Sequence, residues 1–317
     1  ELLKILNKKE IHSNRISFLI ENKLIPEYFN VVASKLKQIQ KSKVMHSFDN
    51  SKHLVSGGTD IYVQKGDVIT NEEICLLSEI ISDEKIKVVD DECVISASST
   101  VADMETSSII NNIFTDFKKI AEQFGSVQIR NKATAGGNIN NASPIGDMTI
   151  FFLALNAKVY LLGKGVSREV LLKEYFKGYK MLNKNADEVM TKISFKIPKN
   201  SFKINYEKVC RRHYLDIASV NTSFYSEEAD SKFTILHISA GGISPIPLYL
   251  TKTVEFLTEK EINTDNLRSA VNISLEEISP ITDSRGSSEY KKLLLRNLMY
   301  AHFIKLFPEV MKEEVMI

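Results

Sequence analysis

Tryptophan is absent from this 317-residue chain, and cysteine occurs only three times, at Cys75, Cys93 and Cys210. The three lie far apart with no CxxC spacing. That excludes a disulfide framework and any zinc or iron–sulfur site formed by one local run. Scattered thiols of this kind are what a reduced, cytoplasmic protein is expected to carry. Glycine (13) and proline (7) are too few for a collagen-like or low-complexity chain. An excess of charge is missing as well, since Lys+Arg 41 against Asp+Glu 40 leaves +1. So close a balance offers no electrostatic footprint for nucleic acid or an anionic membrane. Cys210-Arg211-Arg212-His213 is the nearest thing to a local basic patch. Long apolar runs are lacking: Met148 to Leu155 is the most apolar stretch, far short of the ~20 residues that cross a bilayer. No segment has the pattern of a signal peptide.

What remains is an ordinary globular composition, 43% hydrophobic and 26% charged, long enough for about two domains. In residues 1–40 Ile16, Leu19, Ile20 and Leu24, then Val32, Leu36 and Ile39, recur at helical spacing among charges, which reads as a linker or docking arm. His53 to Ser56 reads as a short strand running into a Gly57-Gly58-Thr59-Asp60 turn, after which Ile61-Tyr62-Val63 resumes the apolar run. Strands are expected at Ile86–Val89 and Cys93–Ser96, and helical periodicity from Ala102 to Phe124. Residues 128–147 are rich in glycine and amide side chains and poor in apolar ones. They read as a loop whose backbone wraps something polar. Further strands are expected at Lys158–Leu162, Val189–Ile197, Phe202–Val209, Ile217–Phe224 and Phe233–Ala240. A final helix over Ser288–Leu306 carries Leu293, Leu294, Leu298, Ala301 and Ile304. A domain boundary is placed near 214/215, giving 1–40, 41–214 and 215–317.

Gly57-Gly58 and Gly136-Gly137 each follow an apolar segment and precede hydroxyl, carboxylate or amide side chains. Glycine lets a backbone approach a ligand closely, and successive N–H groups in such turns make anion-binding nests. Two nests on neighbouring loops suit a diphosphate, with Thr59 and Thr134 as hydroxyl donors. Asp60, Asn138 and Asp147 suit sugar or ring N–H and O–H groups. Either pair alone reads first as a tight turn, as Gly163-Lys164-Gly165 and Gly241-Gly242 do. The G-x-G-x-x-G and G-x-x-x-x-G-K-[ST] patterns are absent.

At these residues the chain resembles the FAD-binding medium or small subunit of the xanthine dehydrogenase / molybdenum hydroxylase family. Leu54-Val55-Ser56-Gly57-Gly58-Thr59-Asp60-Ile61 is similar to its first FAD loop. Ile129-Arg130-Asn131 through Asp147 is similar to its second, which is the more specific string. Tyr175 to Lys180, and Tyr206-Glu207-Lys208 with Arg212 and Asp216-Ile217-Ala218, add two weaker matches. The resemblance spans roughly residues 40–317. It implies an α+β chain: an FAD-binding domain of vanillyl-alcohol-oxidase (PCMH) type with two α/β subdomains. A C-terminal domain of CO dehydrogenase flavoprotein type follows, with a three-stranded antiparallel sheet and helices.

The resemblance implies that Leu54 to Ile61 line the pyrophosphate and adenosine path. It implies that Ala133, Thr134, Gly137, Asn138 and Asn140 hold the diphosphate and ribityl region, and that Asp147 takes a hydroxyl or ring N–H. Phe124 with Gly125 would lie near the isoalloxazine ring, although by periodicity alone Phe124 ends an apolar helical stripe. Ile129, Val189 and Met190 would add apolar contacts. Lys208 would set a charge near the flavin, or stand as a solvated strand lysine. Tyr179 would flank the nicotinamide approach, or pack half-buried on the second loop. In the 209–219 loop Cys210, His213, Tyr214 and Leu215 replace more charged residues of the animal enzymes, and Cys210 reads as a buried inert thiol ahead of a redox-sensitive one.

Covalent flavin attachment needs a well-placed His or Cys. His53 precedes the first glycine pair and Asp60 follows it, so dissociable FAD is expected. No catalytic triad and no metal ligands are implied, because the flavin carries the chemistry. Electrons would arrive from [2Fe-2S] clusters on an iron–sulfur partner and leave to NAD⁺ or another acceptor. The molybdenum cofactor would sit on another chain, in a dimer of heterotrimers. Ile25-Pro26-Glu27-Tyr28-Phe29 resembles the linker that follows an iron–sulfur domain, which fits a piece of a longer polypeptide or a stand-alone subunit. Two rival readings are a self-sufficient FAD oxidoreductase of the same fold and a flavin-free scaffold subunit.

Overall fold

The computed structural model describes residues 14–38, 53–80, 84–199, 201–212 and 215–312. Ile39, His213 and Tyr214 lie outside the described residues. Contacts divide the chain into Glu1–Met45 and His46–Ile317. In the first unit α1 (Arg15–Glu21) starts where the Asn14 side chain accepts from the Ile16 and Ser17 N–H groups, and α2 (Phe29–Gln38) follows Pro26. No residue of either helix is buried, so the described residues of this unit form no core of their own.

The second unit opens with β1 (His53–Val55), α3 (Ile61–Thr70), β2 (Ile74–Leu76) and α4 (Leu77–Ile80), with β1 and β2 parallel. Ile61 to Val63 therefore begin a helix rather than extending the strand. Gly58 turns the chain at φ +75°, and its carbonyl accepts from the Tyr62 N–H. Next, β3 (Ile86–Val89) and β4 (Glu92–Ser96) form a hairpin through Asp90 at φ +53°. The periodic stretch to Phe124 is three helices rather than one: α5 (Val101–Thr106), α6 (Ser108–Ile113) and α7 (Phe117–Glu122). The side chains of Thr100 and Ser107 cap backbone N–H groups and restart the helix, which periodicity does not register. Residues 128–147 are likewise mostly helical turns, not loop. They form α8 (Val127–Arg130), α9 (Ala135–Asn140) and the start of α10 (Asp147–Leu153). The hydroxyls of Ser126 and Thr134 nucleate α8 and α9 despite the glycine content.

β5 (Lys158–Gly163) and β6 (Val166–Leu171) make a hairpin whose turn residues Lys164 and Gly165 both have positive φ, the geometry of a tight two-residue turn. Then come α11 (Leu172–Tyr175), the small hairpin β7 (Phe176–Gly178) and β8 (Met181–Leu182), and β9 (Val189–Lys196). β9 returns to the middle of an antiparallel sheet ordered β3-β4-β9-β5-β6. There Ile193 faces Ile95 on one side and Val159 on the other, all three fully buried.

A second antiparallel sheet is built by β10 (Phe202–Val209), β11 (Val220–Ala229), β12 (Lys232–Gly241) and the two-residue β13 (Leu248–Tyr249). β10 pairs with β11 from Phe202 to Val209, so this sheet begins before the boundary drawn at 214/215. Arg211 and Arg212 lie between β10 and β11, two adjacent strands of this sheet. Helices α12 (Thr251–Leu257), α13 (Thr264–Glu276) and α14 (Ser288–Leu306) follow. On α14 the buried stripe holds Leu294, Leu298 and His302, whereas Leu293 is 48% exposed. One apolar core runs through both sheets, with the buried helix α10 packed on β11 and β12 of the second.

Candidate functional site

The loop after β1 carries Ser56, Gly57, Gly58 and Thr59, all half-buried, between the half-buried Leu54 with the buried Val55 and the start of α3 at Ile61. No described residue accepts from the N–H groups of Gly57, Gly58 or Thr59. Three successive backbone donors are thus left without an acceptor among the described residues, and donors of this kind can take an anion. A side chain at Gly57 would sit 1.8 Å from the Lys132 carbonyl oxygen, so this loop lies directly on the second one. Ser56 Oγ and Thr134 Oγ1 are 2.7 Å apart, joining the two loops. Asp60 is exposed and accepts from Gln64.

The second glycine pair has a different job. The N–H groups of Ala135 and Gly136 donate to the carbonyls of Ser99 and Ala97, and that of Gly137 to Thr134 Oγ1. The second nest is therefore not formed, because α9 and the 97–99 segment already use its donors. Gly136 is there for closeness: a side chain would lie 2.6 Å from Ala97 Cβ. Asn138 and Asn140 both make hydrogen bonds within the fold. Asn138 Oδ1 accepts from the Thr149 N–H and hydroxyl, capping α10 where Gly146 has no side chain to do so. Asn140 Nδ2 donates to the Gly136 carbonyl and contacts Met190 Sδ, and its Oδ1 accepts from Tyr175. Ala133, Val189 and Met190 are buried, and Ile129 is 39% exposed.

Asp147 and Lys208 pair with each other. Lys208 Nζ is 2.9 Å from Asp147 Oδ2, with a side chain only 1% exposed, so it is not a solvated strand lysine. Asp147 Oδ1 also accepts from the Tyr206 hydroxyl at 2.6 Å and Asn221 Nδ2 at 2.8 Å. Burial and the neighbouring carboxylate hold the Tyr206 hydroxyl well above its ordinary range, which keeps it a donor. Lys208 reaches further, to the Gln123 carbonyl at 2.8 Å. On the other side of that turn Arg130 donates to the Gly125 carbonyl at 2.6 Å and to Glu105. Phe124 and Gly125 thus sit in a turn gripped by two cations, each neutralised by its own carboxylate. Phe124 is partly buried against the core.

Tyr179, at the tip of the β7–β8 hairpin, is 64% exposed and so does not pack half-buried on the second loop. Its neighbour Lys180, given no role by the sequence reading, has φ +59° and donates to the Asn141 carbonyl and side chain. Partial burial lowers the Lys180 pKa against the opposing field of Asp60. Cys210 is partly exposed, not buried. Its thiol donates to the Arg212 carbonyl, and desolvation raises its pKa. Among the described residues no group of three or more His, Cys, Asp or Glu could hold a metal ion, and no helix is long and apolar enough to cross a membrane.

The row of free N–H donors beside a hydroxyl-lined contact of two loops fits a diphosphate-containing cofactor. The comparisons point the same way. The family described as "FAD binding domain in molybdopterin dehydrogenase" matches residues 28–199, and "CO dehydrogenase flavoprotein C-terminal domain" matches 205–306. The chain is 26% identical over 285 residues to the glyceraldehyde dehydrogenase medium chain of Sulfolobus acidocaldarius, covering 90% of this chain and 99% of that one. It is 25% identical over 284 residues to the nicotinate dehydrogenase FAD-subunit of Eubacterium barkeri, covering 87% and 95%. Among solved structures a chain of carbon monoxide dehydrogenase from Hydrogenophaga pseudoflava superposes with a TM-score of 0.73 at 21% identity, covering 79% of this chain and 88% of that one. The fold match, the two loops and the family matches over both halves agree, and the chain belongs to the FAD-binding oxidoreductase family of the molybdopterin dehydrogenases.

Proposed function

We propose that this chain is the FAD-binding electron-transfer subunit of a xanthine dehydrogenase-like molybdenum hydroxylase. The observation that carries this reading is the unpartnered N–H row of Gly57, Gly58 and Thr59 held against Thr134 by the second loop. Those donors would hold the cofactor's diphosphate, with the hydroxyls of Ser56, Thr59 and Thr134 beside it. Phe124, Gly125 and Ile129 would bound the ring region. FAD, when bound, supplies the chemistry of accepting single electrons and delivering a hydride. The protein's part is to bind, orient and shield that group. The exposed Tyr179 would flank an entering nicotinamide, with NAD⁺ as acceptor. The electron donor would be a [2Fe-2S] partner subunit or domain. Substrate oxidation would belong to a molybdenum-cofactor subunit, in a dimer of heterotrimers in the cytoplasm.

The direct test is the visible spectrum of the purified chain, with the cofactor identified after denaturation. A flavin spectrum that releases free FAD is expected. A colourless protein that takes up no added FAD would overturn the reading. Tyr179→Ala should leave FAD content unchanged and lower NADH oxidation at least tenfold. Equal turnover by variant and wild type would remove the nicotinamide role.

A further inference from the structure

We propose that Lys208 and Asp147 are positioning residues. Together they brace the Gln123–Gly125 turn and the start of α10 against the C-terminal sheet, fixing the separation of two walls of the FAD site. The inference rests on the FAD reading of residues 124–125 and 133–140 given above.

The geometry is a connected set of hydrogen bonds. β10 contributes Tyr206 and Lys208, on one face of the sheet by the period-two rule, and β11 contributes Asn221 opposite Lys208. All three donate to Asp147 at the first position of α10. From Asp147 the link runs one way along α10 to Thr149, whose N–H and hydroxyl are held by Asn138 of α9. It runs the other way through Lys208 to the Gln123 carbonyl, hence to the turn that carries Phe124 and Gly125. A lysine 1% exposed, with its amine on a carboxylate and a carbonyl, has little charge to offer a ligand.

The sheet is shaped to receive this cluster. Asn221 turns its Nδ2 toward Asp147, Tyr206 and the Ile145 carbonyl, and leaves Oδ1 buried without a partner. Leaving an acceptor unpaired costs free energy, and the alternative amide orientation would set Oδ1 against the carboxylate. Gly241 makes room, since a side chain there would lie 2.3 Å from Asn221 Oδ1 and 2.8 Å from the Pro144 carbonyl. The Gly242 N–H donates to that same carbonyl. The C-terminal sheet thus holds the second loop at Pro144, Ile145 and Asp147 together.

The test is a double-mutant cycle on the full chain with Lys208→Met, Asp147→Asn and the pair combined, read by FAD titration. Asp147→Asn leaves a buried cation unpaired and is the variant most prone to misfold; the double variant removes both charges and keeps the cycle interpretable. If the two act as one brace, each single change weakens FAD binding about tenfold and the double no more than the worse single. At saturating FAD the vibronic shoulder of the flavin band should blur in Lys208→Met. Losses that multiply to about a hundredfold, or an unchanged affinity in Lys208→Met, would overturn the brace. Hydrogen exchange on the cofactor-free chain separates this from the FAD reading. The 123–126 and 147–149 amides should exchange faster in Lys208→Met while the centre of α14 does not. Unchanged exchange there would reject the brace even if FAD binds, whereas a wild type that binds no FAD rejects only the functional reading.

Discussion

Gly57→Ala is expected to reduce FAD affinity at least 100-fold, about 2.7 kcal/mol, in a chain that still folds. The added methyl would start 1.8 Å from the Lys132 carbonyl oxygen and 2.7 Å from its carbon, both backbone atoms that cannot rotate away. Relief requires the loops to part by more than an ångström. That breaks the Ser56–Thr134 contact and turns the Gly57 and Gly58 N–H groups out of line. The fold should survive, because the first loop hangs on a three-residue parallel pair outside the main sheets. A cost of about 1 kcal/mol is expected, a melting shift of roughly 2–4 °C. Gly137→Ala should be milder, since the added methyl meets a side-chain atom, Thr134 Oγ1 at 2.7 Å, and a small adjustment there does not require the loops to part. Gly66→Ala, with nothing within 4 Å, should leave affinity unchanged. FAD titration of the three variants, with circular-dichroism melts, checks the order. Gly137→Ala weaker than Gly57→Ala would mean that contact between the loops does not govern the site.

That ordering differs from what the sequence suggests, and the difference has a physical cause. Two glycine pairs look alike as strings. Only the fold reveals that Gly58 turns at positive φ beside free donors while Gly136 and Gly137 lie inside a short helix whose donors are used. Elements whose pattern is set by local alternation or periodicity were legible: β10 at Phe202–Val209 and α14 at Ser288–Leu306 fall where periodicity places them. Elements set by a single capping hydroxyl, at Ser107, Ser126 and Thr134, were not, because one side-chain hydrogen bond outweighs composition over four to six residues. The Lys208–Asp147 pair spans 61 residues of sequence, and nothing in either neighbourhood announces it. Lys180 escaped for the same reason: its partner Asn141 lies 39 residues earlier. The resemblance of the two loops names a candidate site; the hydrogen bonds within it separate residues with open donors from residues that hold the frame.

Stability should fall as pH drops from 7 to 5, with His302 alone accounting for about 2 kcal/mol of the loss. The His302 ring is fully buried, linking α14 to the C-terminal sheet and stacked on Phe224 at 5.7 Å. Asn205 Nδ2 lies 2.8 Å from Nδ1, and Thr222 Oγ1 lies 2.8 Å from Nε2. Asn205 Nδ2 also donates to Glu207, which fixes the amide so that an N–H faces Nδ1. Nδ1 must therefore accept, and the single ring proton belongs on Nε2, donated to Thr222. A second proton would set donor against donor in a fully buried site. Desolvation, aided by Lys305, lowers the pKa from 6.5 to about 3. The unfolded chain takes up a proton below about pH 6.5 and the folded chain does not, so stability is fully present above 6.5. It declines by about 1.4 kcal/mol per pH unit until the folded group titrates near 3. His237, lowered to about 4 by burial, adds a parallel loss. Glu188, held at about 2 chiefly by its hydrogen bonds from Arg168, contributes to acid sensitivity only below about pH 4.5. Urea denaturation at pH 7 and pH 5 should thus show a slope that His302→Gln flattens by about 2 kcal/mol, even if that variant is less stable at pH 7. An unchanged slope in His302→Gln would mean that the ring gains its proton inside the fold, and that the Asn205 amide does not hold the orientation assigned to it.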